Sequence, residues 1–148
     1  MVIFENPYAI ISYQEQAEFL QISWLRKPSA KLLAEIYLHA LEFVATHTKL
    51  KLFCTDQTQI GPLEREQENW LIQEYYPKVY QIIQDDIHAA IVFSERHFNA
   101  IVMNYQVPVS LPHQRFIQFN YFTQLQEALH WLEDVKKGQE MVVLPPKP

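Results

Sequence analysis

A chain of 148 residues, 49% hydrophobic and 14% aromatic, is long enough for one folded domain with its own core and too apolar for disorder. Its two glycines, Gly61 and Gly138, exclude glycine-rich phosphate loops, which need several glycines close together. A net charge of −5 with scattered Lys and Arg leaves no basic footprint for DNA, RNA or an anionic membrane.

Cys54 is the one cysteine, so no intrachain disulfide forms, which suits a reducing compartment. The first residues, Met1 to Asn6, lack the basic start and apolar run of a secretory signal. No stretch has the length of a membrane span. A soluble, cytoplasmic chain is the expectation.

The first regular segments expected are strands over Tyr8–Tyr13 and Glu18–Leu25. In the second, Leu20, Ile22 and Trp24 alternate with Gln21 and Ser23. The polar link Gln14-Glu15-Gln16-Ala17 suits an antiparallel hairpin. Ser29 then caps a helix to about Thr48, with Leu33, Ile36, Tyr37, Ala40, Leu41 and Val44 as its apolar stripe.

Leu50–Thr55 reads as a buried strand. Pro62 is placed to open the next helix, and Glu64, Glu66 and Glu68 suit the positive end of its dipole. Its inner stripe is Leu63, Gln67, Trp70, Leu71, Tyr75, Val79 and Ile82. Pro77 sits inside it, where proline removes one backbone hydrogen bond and clashes with the preceding turn, so a kink or break is expected near Tyr75–Tyr76.

Ala89–Phe93 is a further buried strand, Glu95–Tyr105 a helix and Pro108 to Pro112 a loop. Arg115–Tyr121 alternates as a strand. Thr123 caps a last helix with Leu125, Ala128, Leu129 and Leu132 on its stripe. Lys136 and Lys137 suit its negative end, and Gly138 its termination.

This order predicts an α/β fold: a five-stranded, mostly parallel sheet with an N-terminal antiparallel hairpin and about four helices. One domain spans 1–138, and 139–148 is a C-terminal tail.

Ligands of open parallel sheets bind outside the carboxyl ends of the strands. Asp56 and Thr58 leave one such end; Ser94, Arg96 and His97 leave the next. The ordinary alternative is that Asp56 caps a loop through backbone amides and Arg96 pairs with a nearby carboxylate. Ser94, His97 and Asp56 can be drawn as a nucleophilic triad, but Phe93-Ser94-Glu95-Arg96 lacks the glycines of a nucleophile turn, and a serine helix cap is the simpler reading.

The six histidines show no metal-ligand spacing, and no cofactor is expected. Cys54, late in a core strand, reads as an inert thiol. Trp70, Tyr76 and Tyr80 around Pro77 are candidates for a groove, with Tyr76 the exposed member and Trp70 and Tyr75 better placed as core.

Leu52-Phe53-Cys54-Thr55-Asp56, then Glu66-Gln67-Glu68-Asn69-Trp70, then Tyr75-Tyr76-Pro77, together with the element order over nearly the whole chain, resemble the SpoIIAA-like fold. That group holds the STAS and CRAL-TRIO-like domains, and the likeness is nearest to its small bacterial single-domain members. Phosphoswitch STAS domains carry a phosphorylatable serine after the strand. The loop here, Asp56-Gln57-Thr58-Gln59-Ile60-Gly61-Pro62, has none, and Thr58 is its only hydroxyl outside that motif.

The resemblance implies a non-enzymatic interaction domain, a homodimer or the dock of a protein partner, with Asp56, Thr58, Ser94, Arg96, His97, Trp70 and Tyr76 as candidate contacts. The alternative it implies is a binder of a small apolar or lipid-like ligand. An enzyme using Asp56 with Arg96 or His97 ranks below both.

Overall fold

The computed structural model describes residues 1–97 and 116–143. The expected helix beyond residue 97, the Pro108-to-Pro112 loop and the last five residues of the tail lie outside them.

A mixed sheet of six strands runs in sequential order: β1 (Val2–Glu5), β2 (Ala9–Gln14), β3 (Phe19–Trp24), β4 (Leu52–Asp56), β5 (Ile87–Val92) and β6 (Ile117–Phe122). The first three strands pair antiparallel, and β3 to β6 are parallel. The helices are α1 (Ala30–Thr46), α2 (Arg65–Trp70), α3 (Tyr76–Ile83) and α4 (Leu125–Val143). Among the described residues, no helix is long and apolar enough to cross a membrane.

The sheet therefore has one strand more than the five expected. β1 is a short apolar run with no alternation, so no local signal marks it. It forms because Asn6 turns the chain back: its Oδ1 accepts from Tyr8 N at 2.7 Å and Ala9 N at 2.9 Å, a side-chain-closed turn that pairs β1 with β2. The second hairpin closes where expected, with Glu18 in the left-handed region (φ 56°) and its N–H bonded to Gln14 O.

Residues paired in register share a sheet face, so alternation sorts the strands into two surfaces. Leu20, Ile22, Trp24, Phe53, Ala89 and Phe119 belong to the layer that packs against α1, α2 and α3. Phe19, Leu52, Cys54, Ala90, Val92 and Phe122 meet α4 through Ala128, Leu132 and Trp131. Both crossover helices lie on one side because sequential parallel strands joined with one hand place every crossover on the same face.

The stripe expected of α1 is the one buried: Leu33, Ile36, Tyr37, Ala40 and Val44, with Ser29 Oγ accepting from Leu32 N. Pro62 does not open the second helix; that helix starts at Arg65, after Glu64. Gln67 decides the start. Wholly buried, it accepts from Glu64 N at 3.0 Å and donates to Pro28 O at 2.9 Å, so one side chain satisfies a helix-end donor and a loop carbonyl.

The regular helix is disturbed just before Pro77, where a kink or break was expected, and the disturbance is a change of helix type. A π-helical turn over Leu71–Tyr75 joins α2 to α3, with Tyr76 N–H bonded to Leu71 O. The extra residue in that turn absorbs both proline defects, the missing N–H and the ring's collision with the preceding turn.

At the chain's far end, Gly138 does not stop the last helix, which runs to Val143 and begins at Leu125, after Thr123. Lys136 is thus mid-helix. Its ammonium group is held by Gln16 O at 2.7 Å and Glu18 at 3.3 Å, contacts made with the β2–β3 turn rather than with a helix end.

Candidate functional site

The loops leaving β4 and β5 meet at the carboxyl rim of the parallel strands. Gln57 N–H donates to Val92 O at 2.8 Å, and the buried Gln57 side chain donates to Gly61 O at 3.0 Å, folding the loop over itself. Gly61 holds φ at +71°, where a side chain is strained, and a Cβ there would lie 3.4 Å from the His97 ring. Glycine is thus favoured for the turn, while a Cβ would meet the imidazole at ordinary van der Waals distance.

The rim brings the expected residues near one another but pairs them within each loop. Asp56 Oδ1 accepts from Thr58 N at 3.0 Å and Thr58 Oγ1 at 2.8 Å. A 2.8 Å hydrogen bond joins Ser94 Oγ to His97 Nδ1. Arg96 stands exposed on the helical turn at 95–97. Asp56 therefore does what the ordinary reading gave it, closing its own loop. In the drawn triad Asp56 would orient His97; here its Oδ1 is taken by Thr58. Among the described residues no group of three or more His, Cys, Asp or Glu is arranged to hold a metal.

Trp70 and Tyr76 sit elsewhere, over the sheet face beneath the π turn. Trp70 is half-buried, with its ring centroid 6.5 Å from Tyr37 and 6.3 Å from Tyr75. Tyr76 is not the exposed groove member expected. It is half-buried and meets Tyr75 at 5.3 Å and Phe119 at 5.5 Å, both edge-on. The π turn rotates it inward relative to a regular helix, a change that its place beside the stripe did not reveal. Tyr80 is the exposed aromatic of this helix, at 44%.

Sequence reasoning missed what lies below Tyr76. A cavity of about 20 Å³ opens between the sheet and α1 and α3, lined by Ile22, Tyr37, Phe53, Thr55, Tyr75 and Tyr76 among others. That is room for roughly one water-sized body. β4 has neighbours on both sides, yet Phe53 and Thr55 on this face are only half-buried. The Tyr37 hydroxyl approaches Thr55 and Trp24, and burial, partly offset by those two side chains, pushes its pKa up to about 12. Burial likewise raises Tyr75, with Tyr37 adding to it, so both phenols stay protonated. The only signal in the sequence was a Tyr within the stripe of α1.

No family model, curated protein or solved structure matches the chain.

Two further groups have their chemistry set by position. Cys54 lies under α4, where burial first and the charge of Asp56 second push the thiol up to about 12. A thiol protonated at neutral pH is a poor nucleophile. His88, on the α4 side of β5, faces the edge of Trp131 at 5.8 Å, and its Nδ1 has no hydrogen-bond partner among the described residues. Burial holds its pKa below the ordinary 6.5, with Gln118 and Asp86 pulling the other way.

Below pH 6.5 the unfolded chain therefore binds a proton at His88 that the folded chain resists. Stability is full above that value and declines as pH falls from it towards the lowered folded pKa. Asp85 adds a lower step. The Lys51 hydrogen bond at 2.7 Å, then the Asp86 amide, hold it below 3.8, so its contribution is present above that value and lost as pH falls through the folded pKa. Urea denaturation between pH 4.5 and 8 is expected to show the midpoint falling below about pH 6.5, and His88→Gln is expected to flatten that part of the curve.

Proposed function

We propose that the chain is a non-enzymatic interaction domain of the SpoIIAA-like type that pairs with a second copy of itself. The observation that carries this reading is a half-sheet face that no helix covers among the described residues. The core cluster under α4 draws one residue, Phe19, from the three N-terminal strands. On that side β1, β2 and β3 present Val2, Glu5, Ile10, Ser12, Gln14, Gln21 and Ser23, and the two aliphatic residues belong to neither core cluster. Val2 is 56% exposed.

Small serines beside aliphatic side chains allow another sheet to approach to about 10 Å, the spacing of packed sheets. A two-fold axis through this face sets the same patch against itself, as isologous dimers require. Parallel β3 to β6 in sequential order, with crossover helices on one face, support the fold assignment. The lone buried cysteine is compatible with a cytoplasmic location, which belongs to the same proposal.

Ile10→Lys tests it. Light scattering after size exclusion is expected to give the mass of two chains for the wild type at micromolar concentration. The variant is expected to dissociate at least about tenfold more readily, or 1.4 kcal/mol. A one-chain mass for the wild type at every concentration overturns the reading.

A second reading, a binder of a small apolar ligand, is favoured by the cavity between the sheet and the helices.

A further inference from the structure

The orphaned nitrogen of His88 lies where α4 meets the sheet. His88 is in register with Leu52 of β4 and Gln118 of β6. Its Nδ1 is buried without a hydrogen-bond partner among the described residues. Buried polar atoms in folded proteins are nearly always paired, so this one needs a physical reason. Across from the ring stands Trp131 of α4, with the ring centroids 5.8 Å apart and the planes at 60°. The same indole meets Phe122 at 5.8 Å, so one side chain ties α4 to both β5 and β6.

The neutral ring suits that place. With one proton, carried on the nitrogen that Gln118 can accept from, the ring leaves Nδ1 as a bare acceptor. A second proton makes Nδ1 a donor and the ring a cation. Gln118 on β6 and the charge of Asp86 favour that cation, but burial opposes them and is the larger effect. Towards β4, the His88 N–H bonds Lys51 O at 2.9 Å, and the Lys51 ammonium is held by Asp85 at 2.7 Å. On α4, His130 and Asp134 face each other at 3.6 Å, both well exposed, and Glu127 is exposed as well. The Trp131 indole N–H donates only, so it offers nothing to a protonated Nδ1. The charged ring is relieved by water, and water reaches it when Trp131 moves away.

We propose that His88 and Trp131 form an acid-sensitive latch: a proton taken up by the His88 ring lifts the middle of α4 from the sheet and bares Cys54, while the rest of the fold holds. Cys54 is in register with Ala90, two residues along β5 from His88, and is 1% exposed under the closed helix. The other attachments of α4 are apolar, through Ala128 and Leu132, or made by Lys136 with Gln16 and Glu18, and none contains a histidine. The surface that opens continues the outer face of β1–β3, which no described helix covers.

The test labels Cys54, the one cysteine of the full chain, with dithiodipyridine, which reacts with thiols in acid as well as at neutral pH. Dividing the rate by that of the urea-unfolded chain at the same pH removes the thiol's own chemistry and leaves the opening equilibrium. This ratio is expected to rise at least about threefold between about pH 7.5 and about pH 5.5, and to stay level in His88→Gln. Low urea is expected to change the wild-type ratio little, because a local opening exposes little surface. A ratio unchanged or lowered in acid means that the indole holds the imidazolium, and overturns the proposal. So does a rise that survives in His88→Gln, or a urea dependence as steep as that of global unfolding. A dispersed ¹⁵N spectrum checks that His88→Gln folds. If it does not, the wild type still decides: the Trp131 indole N–H signal, assigned by its loss in Trp131→Phe, is expected to shift with the midpoint of the His88 ring protons. An indole signal that does not titrate overturns the latch.

Discussion

Tyr75→Ala is expected to cost about 3–5 kcal/mol, the range for deleting a fully buried aromatic ring. Tyr75 is 4% exposed, stands edge-on to Tyr37 at 4.7 Å and meets Trp70 and Tyr76 as well. It is also a wall of the cavity, so its removal joins the lost ring volume to space that is already empty. The π turn cannot collapse into the gap, because Pro77 fixes the backbone that follows. For a chain of this length the midpoint temperature should fall by roughly 10 °C or more. Urea denaturation checks the free energy, with Tyr80→Ala as the comparison; that ring is 44% exposed and should cost far less. A loss below about 1 kcal/mol for Tyr75→Ala would mean that the aromatic cluster does not pack as described.

Gln67→Leu should cost about 2–4 kcal/mol, although it puts an apolar side chain of similar size into a buried position. The reason is asymmetric. The substitution strands the buried Pro28 C=O, at roughly 1–3 kcal/mol, and takes the acceptor from the part-buried Glu64 N–H, at about 1 kcal/mol more. Gln67→Glu adds a distinguishing signature. Its carboxylate still accepts from Glu64 N but, ionised, faces Pro28 O with no proton to donate. Burial there favours the protonated acid, so the folded pKa rises above the unfolded one. Below the unfolded pKa the variant keeps most of its stability; as pH rises through the folded pKa it loses it. Chemical denaturation at pH 4.5 and pH 8 should separate the two substitutions. A Gln67→Leu variant as stable as the wild type would show that Gln67 does not hold α2 to the loop before α1.

The parts of the fold that were legible have local causes. The α1 stripe and the alternation of Leu20, Ile22 and Trp24 came out as read, because period and burial are both properties of short segments. Ser29 capped as expected because its target, Leu32 N, is three residues away. The misreadings share the opposite property. β1 exists only because β2 pairs with it. Gly138 continues a helix whose neighbouring Lys136 is anchored on the β2–β3 turn. Gln67 is buried in the inner stripe as expected, and what could not be read was its bond to Pro28, 39 residues away.

The candidate site divides the same way. That Asp56, Thr58, Ser94 and His97 leave adjacent strand ends follows from element order, and the two loops do touch, through Gly61 and His97. Which group each side chain would bond was not readable at that level, since an Asp at a strand end can equally serve its own loop or a neighbour's.

By its own residues the sequence determined the α/β class, the antiparallel start, every strand but β1 and most of the inward stripe of the helices, because hydrophobic period acts over a few residues. Only the tertiary structure decided that the disturbance before Pro77 is a π turn, that Tyr76 turns inward, that no described helix covers the outer face of β1–β3 and that the Tyr37 hydroxyl approaches Trp24 and Thr55 at the wall of a cavity. Each of those depends on shapes meeting across distant segments, where the fit of one side chain against another, rather than its own preference, sets the outcome.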